Sequence, residues 1–209
     1  MNDRTHRFTV NAITLVRFPI VLLFLVLAVV HAYIPPHEGY VLADFWAVGA
    51  AVLLIIASLT DMFDGKLARK WNVVSKFGAM ADPLMDKIFY LVVFPTLLWL
   101  LCRQPGQSTH SLVMLVLTVI YILRDQWVTF LRSVASLYNA YCGAMWIGKL
   151  RTASTFPIAI FIYLWISLHP SFIPIWVVYV LEGFLIGITL WSILSYTKAY
   201  LPYVKKSLE

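Results

Sequence analysis

Residues 41–86 read "VLADFWAVGAAVLLIIASLTDMFDGKLARKWNVVSKFGAMADPLMD". Residues 41 to 60 are apolar apart from Asp44, Ser58 and Thr60. Such a run is long enough for a helix to cross a hydrocarbon core of about 30 Å, which takes roughly 20 residues. Directly behind it come four aspartates, Asp61, Asp64, Asp82 and Asp86. The rest of the chain agrees with a membrane setting: of 209 residues, 61% are hydrophobic and 12% charged, and the mean hydropathy is +0.83. An ordinary soluble domain is excluded by that composition. A transmembrane barrel needs short alternating strands, and the sequence has none. The expected fold is an all-α integral membrane protein: six transmembrane helices and a short N-terminal juxtamembrane helix, in a single domain over residues 1–209.

The spans are expected near 15–33, 41–60, 78–102, 111–133, 147–168 and 173–196. The turn "IPPHEGY" (34–40) closes the first, and Pro95 kinks the third. Residues 1–13 alternate basic and apolar side chains and suit a helix lying on the membrane surface. With the N-terminus in the cytoplasm, all sixteen Lys and Arg residues except Arg103 fall on or near that side. The positive-inside rule therefore places both termini and the aspartates on the cytoplasmic face of the cell (inner) membrane. The net charge of +6 reads as this topology signal plus attraction to anionic headgroups, and not as a nucleic-acid surface. Cys102 and Cys142 have no metal-binding spacing and fall on opposite sides, so no disulfide is expected. No small-residue cleavage site follows the first apolar run.

Helix geometry gathers the aspartates. Asp61, Asp64, Gly65 and Ala68 share one face at the end of span two; Gly78, Asp82 and Asp86 share one face at the start of span three. Pro83 fits this helix if it lies in the first turn. Antiparallel packing across "KWNVVSK" then points four carboxylates at one small volume. Charges of one sign so close repel and need a cation. Hard oxygen donors at this density suit Mg²⁺ or Mn²⁺, and four can bridge two ions about 4 Å apart, the geometry used on phosphoryl groups. A lone aspartate at a membrane edge is usually a solvated cap residue. Four, phased on two faces beside glycine and alanine, do not fit that explanation.

The same residues spell D-x-x-D-G-x-x-A-R-x8-G-x3-D-x3-D without a mismatch. This resembles the CDP-alcohol phosphotransferase family, six-span membrane enzymes, usually homodimers, that move a phosphatidyl-type group from a CDP-linked lipid to an alcohol and release CMP. The resemblance implies that Asp61, Asp64, Asp82 and Asp86 are metal ligands and that Asp86 is also the general base. It implies that Asp64, Gly65, Ala68, Arg69 and Gly78 line the CDP pocket. "NAITLVR" (11–17) resembles an N-x-x-T-x-x-R segment of the family's phosphatidylglycerolphosphate-forming branch, which adds Thr14 and Arg17 to that pocket.

Two further segments resemble the same branch. "RDQWVTFLR" (124–132) matches R-E-x6-L-R with Asp125 in place of Glu, and "GKLRT" (148–152) matches G-K-x-K-T with Arg151 in place of Lys. Arg124, Arg132, Lys149 and Arg151 then suit an acceptor that carries a phosphate. The resemblance thus implies CDP-diacylglycerol and glycerol 3-phosphate as substrates. The same chemistry on inositol phosphate, inositol or serine stays open. So does a divalent-cation transporter, although its carboxylates would be expected nearer mid-membrane. The resemblance covers about 11–155, and the last fifty or so residues read as a span alone. Within that span Glu182 is costly unless protonated, hydrogen-bonded or at a dimer contact. Asp44, His110 and His169 read as solvated groups near the outer face.

Overall fold

The computed structural model describes residues 3–33, 41–71, 73, 76–140, 143, 145–168 and 173–208. Regular structure among them is helical throughout: α1 (Asp3–Tyr33), α2 (Val41–Lys70), α3 (Lys76–Cys102), α4 (Ser108–Leu137), α5 (Trp146–Leu168) and α6 (Ile175–Lys206). Each contains a stretch long and apolar enough to cross a membrane, as the sequence predicts. The chain is a multi-span helical membrane protein. In hydrocarbon a helix satisfies its own N–H and C=O groups, which water does for other conformations.

Four boundaries differ most from expectation. The N-terminal segment is helical, but it runs without a break into the first span. α2 and α6 continue to Lys70 and Lys206, past the expected ends at Thr60 and Tyr196. Apolar runs mark where lipid ends, not where the helix ends. Finally, α3 begins at Lys76, so Pro83 lies in the helix interior and not in its first turn. The expected turn 34–40 lies outside the described residues.

The chain divides into two compact units. The first holds Met1–Arg103 and Ala159–Ser171. In it α1 packs on α2 and α3. The inner stripe of α2 is Ala47, Ala50, Ala51, Leu54 and Ala57, all buried at helical spacing. Small residues there let backbones approach closely, which drives helix association where lipid removes the hydrophobic force. Val21, Phe24 and Ala28 of α1 face inward, as do Phe89, Val93, Phe94 and Leu97 of α3. The second half of α5 adds Ile162 and Tyr163, whose ring meets Phe24 edge-on at 5.2 Å. Leu22, Leu23, Val26, Val52 and Ile55 point outward, as lipid-facing residues should.

The second unit holds Gln104–Ile158 and Phe172–Glu209. α4 runs parallel to α6, with Val128, Leu131, Ala135, Ile147, Ile188, Tyr196 and Tyr200 as its core. Past the end of α4, Asn139 takes a φ of 55°, a left-handed conformation that asparagine tolerates better than most residues.

Candidate active site

In the first unit the end of α2, the start of α3 and a buried stretch of α1 meet around one arginine. Arg17 is 1% exposed. Its Nη1 lies 2.9 Å from Oδ1 of Asp61 on α2 and 3.4 Å from Oδ1 of Asp86 on α3. Two of the four predicted carboxylates therefore converge on one cation, from separate helices. Their side chains are both 30% exposed, so each stays reachable. Thr14 is buried one turn before Arg17 and donates to the Val10 carbonyl at 3.3 Å. Gly65 and Gly78 are half-buried. Nearby, the His6 ring stacks on Trp71 at 4.5 Å, tying the start of α1 to the end of α2. Asp64, Ala68 and Arg69 lie on α2 and Asp82 on α3, but their side chains lie outside the described residues. Among the described residues no group of three metal-ligating side chains forms. The donor chemistry that is present fits a hard divalent ion: two carboxylates already share one positive atom.

The second unit carries a different charge. Three predicted residues, Arg124, Arg132 and Arg151, gather around Tyr196 and Asp125. Asp125 Oδ1 accepts from Arg124 Nη1 at 2.7 Å and from Arg151 Nη2 at 2.9 Å. Arg124 also donates to Ser192 Oγ from Nε at 3.1 Å and from Nη2 at 2.6 Å. Arg132 donates to the Tyr196 hydroxyl at 3.0 Å and to the Gly143 carbonyl at 3.3 Å. The Tyr196 hydroxyl accepts from the Met145 N–H as well, at 2.8 Å. The Arg124 and Arg132 guanidinium carbons each lie 5.1 Å from the Tyr196 ring centre, and Arg151 lies 4.7 Å from that of Tyr121.

Two guanidinium groups thus share one carboxylate, and a third is held by the same tyrosine as Arg124. Arg124 and Arg151 are buried, so water screens the excess positive charge poorly. Such a cluster can attract an anion, and planar guanidinium forks match phosphate oxygens. Lys149 does not join it; that side chain is exposed.

Several participants were not expected. Ser192 and Tyr196 come from α6, which composition alone marks only as a span. Asp125, which stands where Glu is usual, bridges two arginines through one oxygen. Gly148 matters for space: a Cβ there would sit 2.8 Å from the Tyr196 hydroxyl and 3.3 Å from Arg124 Nη2. A signal did exist in α6: Glu182, Thr189, Ser192, Tyr196 and Tyr200 are all buried and recur at helical spacing in an apolar helix.

His110 corrects the expectation of a solvated group. It is fully buried, with Nε2 2.8 Å from Glu182 Oε1 and its ring against Tyr179. The reason is that α4 and α6 run side by side, so each polar group removes the other's need for water. Of the two remaining groups, the Asp44 side chain and His169 lie outside the described residues. Cys102 is an exposed free thiol, and Cys142 lies outside the described residues.

The sequence pattern of CDP-alcohol phosphatidyltransferases matches residues 8–197, which includes most of α6. The chain is 33% identical over 155 residues to a CDP-diacylglycerol–glycerol-3-phosphate 3-phosphatidyltransferase of Shigella flexneri serotype 5b, covering 72% of this chain and 77% of that one. It is 32% identical, with the same coverage, to the protein of that name from Escherichia coli strain K12.

Proposed function

Since the chain belongs to the CDP-alcohol phosphatidyltransferase family, we propose that it joins CDP-diacylglycerol to sn-glycerol 3-phosphate, giving phosphatidylglycerol phosphate and CMP. The observation that carries the acceptor is the arginine cluster. Inositol or serine brings no phosphate to three guanidinium groups; glycerol 3-phosphate does. The names of the similar enzymes agree with this acceptor.

In this reading Asp86 takes the proton of the acceptor hydroxyl. The freed oxygen attacks the β-phosphorus, a new P–O bond forms, and the P–O bond to CMP breaks. Arg124, Arg132 and Arg151 hold the acceptor phosphate, with Asp125 and Tyr196 fixing their directions. Lys149, two residues before Arg151 and exposed, serves the entering phosphate from outside the cluster. Asp61, Asp64, Asp82 and Asp86 would hold Mg²⁺ or Mn²⁺, with two ions favoured by the donor count. When bound, they supply charge neutralisation to the diphosphate and to the departing CMP. Gly65, Ala68, Arg69, Gly78, Thr14 and Arg17 would border the nucleotide, as the resemblance implies. We further propose that the enzyme works as a homodimer in the inner membrane, with its termini and site cytoplasmic, on the positive-inside argument.

The test is an acceptor panel on purified protein with CDP-diacylglycerol, read as CMP release. Glycerol 3-phosphate should far exceed inositol phosphate, inositol and serine. Preference for any of those three would overturn the acceptor assignment and leave the family intact.

A further inference from the structure

Arg17 occupies an unusual place. Among the described residues it is the most enclosed charged group of the first unit's carboxylate cluster, yet the two carboxylates it touches stay partly open. The same nitrogen, Nη1, approaches one Oδ1 from α2 and one from α3. A divalent ion shared by Asp61 and Asp86 would take its oxygens from the same two groups. We propose that Arg17 is the resident counter-ion of the metal-free enzyme, and that it competes with the divalent ion for Asp61 and Asp86. The inference rests on the metal reading above and adds a role that the reading lacks.

Without a cation, Asp61 and Asp86 would repel each other at a membrane edge. The guanidinium removes that repulsion and so stabilises the carboxylate pair. A divalent ion entering beside it meets a positive charge at close range, and two carboxylates whose charge is already partly used. Binding must therefore displace the guanidinium or weaken its two contacts. Helix packing holds the backbone of α1, α2 and α3 in place, so removing Arg17 relieves competition more than it loosens the carboxylates.

The experiment titrates Mn²⁺ alone into detergent-solubilised protein, reading the free-ion signal by electron paramagnetic resonance. Wild type is compared with Arg17→Gln, which removes the charge, and with Arg17→Lys, which keeps it but lacks the planar fork. Arg17→Gln should bind Mn²⁺ at least about tenfold more tightly than wild type, with Arg17→Lys between them. In EDTA, Arg17→Gln should melt below wild type, and Mn²⁺ should close the gap. Equal or weaker Mn²⁺ binding by folded Arg17→Gln overturns the competition and leaves the metal reading standing. Should Arg17→Gln fail to fold, Arg17→Lys decides: affinity above wild type supports the proposal, and affinity at or below it overturns the proposal. Absence of Mn²⁺ binding in wild type and variants alike would overturn both readings, which separates the two kinds of failure.

Discussion

At the scale of single residues, Tyr196 shows how one hydroxyl organises a charged site. It accepts from Arg132 and from the Met145 N–H, while its ring lies under two guanidinium groups. Tyr196→Phe keeps the ring and removes the hydroxyl. A hydrogen bond to a charged partner contributes about 1.5–3 kcal/mol. The KM for glycerol 3-phosphate should therefore rise roughly tenfold or more, with the KM for CDP-diacylglycerol nearly unchanged. Equal changes in both would place Tyr196 outside the acceptor site. Asp86→Asn tests a different residue. It should leave CDP-lipid affinity largely in place while single-turnover CMP release falls about 10²–10⁴-fold. A near-native rate would move the base elsewhere. The aspartates were legible in the sequence because carboxylates beside a lipid span have few bland explanations. Tyr196 was not, because aromatic residues are common at membrane interfaces for reasons unrelated to catalysis.

At the scale of elements, α4 and α6 are joined by polar contacts along much of their length: His110 to Glu182, Arg124 to Ser192, Trp127 to Thr197. In a bilayer such contacts average about 0.6 kcal/mol and reach about 1.7, because the separated helices also find partners. Glu182→Ala should lower unfolding free energy by about 1–2 kcal/mol, measured by denaturant titration in mixed micelles. Glu182→Gln, which still reaches His110, should lose less than half of that. A loss for Gln as large as that for Ala would mean that the pair depends on a charge. Gly148 joins α5 to the same pair. Gly148→Ala puts its Cβ into the Tyr196 hydroxyl, so it should mimic Tyr196→Phe in KM and add little to it in the double variant. Full additivity would show that the contact is not shared. Periodicity revealed the helices themselves. It did not reveal which buried faces meet, because pairing of His110 with Glu182 depends on packing between segments far apart in sequence. Nor did it fix helix ends, since α2 and α6 run on as helix where lipid-like composition stops.

At the scale of the whole molecule, orientation and reaction can each be measured. Cys102, exposed at the end of α3, should react with a membrane-impermeant maleimide added from outside intact spheroplasts, while a cysteine placed at Ser207 should react only after lysis. The reverse pattern would invert the proposed topology. The most direct test of the central claim follows labelled glycerol 3-phosphate in purified protein reconstituted with CDP-diacylglycerol and Mn²⁺. The account predicts that label enters the lipid phase as phosphatidylglycerol phosphate with one CMP released per lipid formed, and that EDTA stops both. CMP release without label in lipid, or full transfer after verified metal removal, would contradict it.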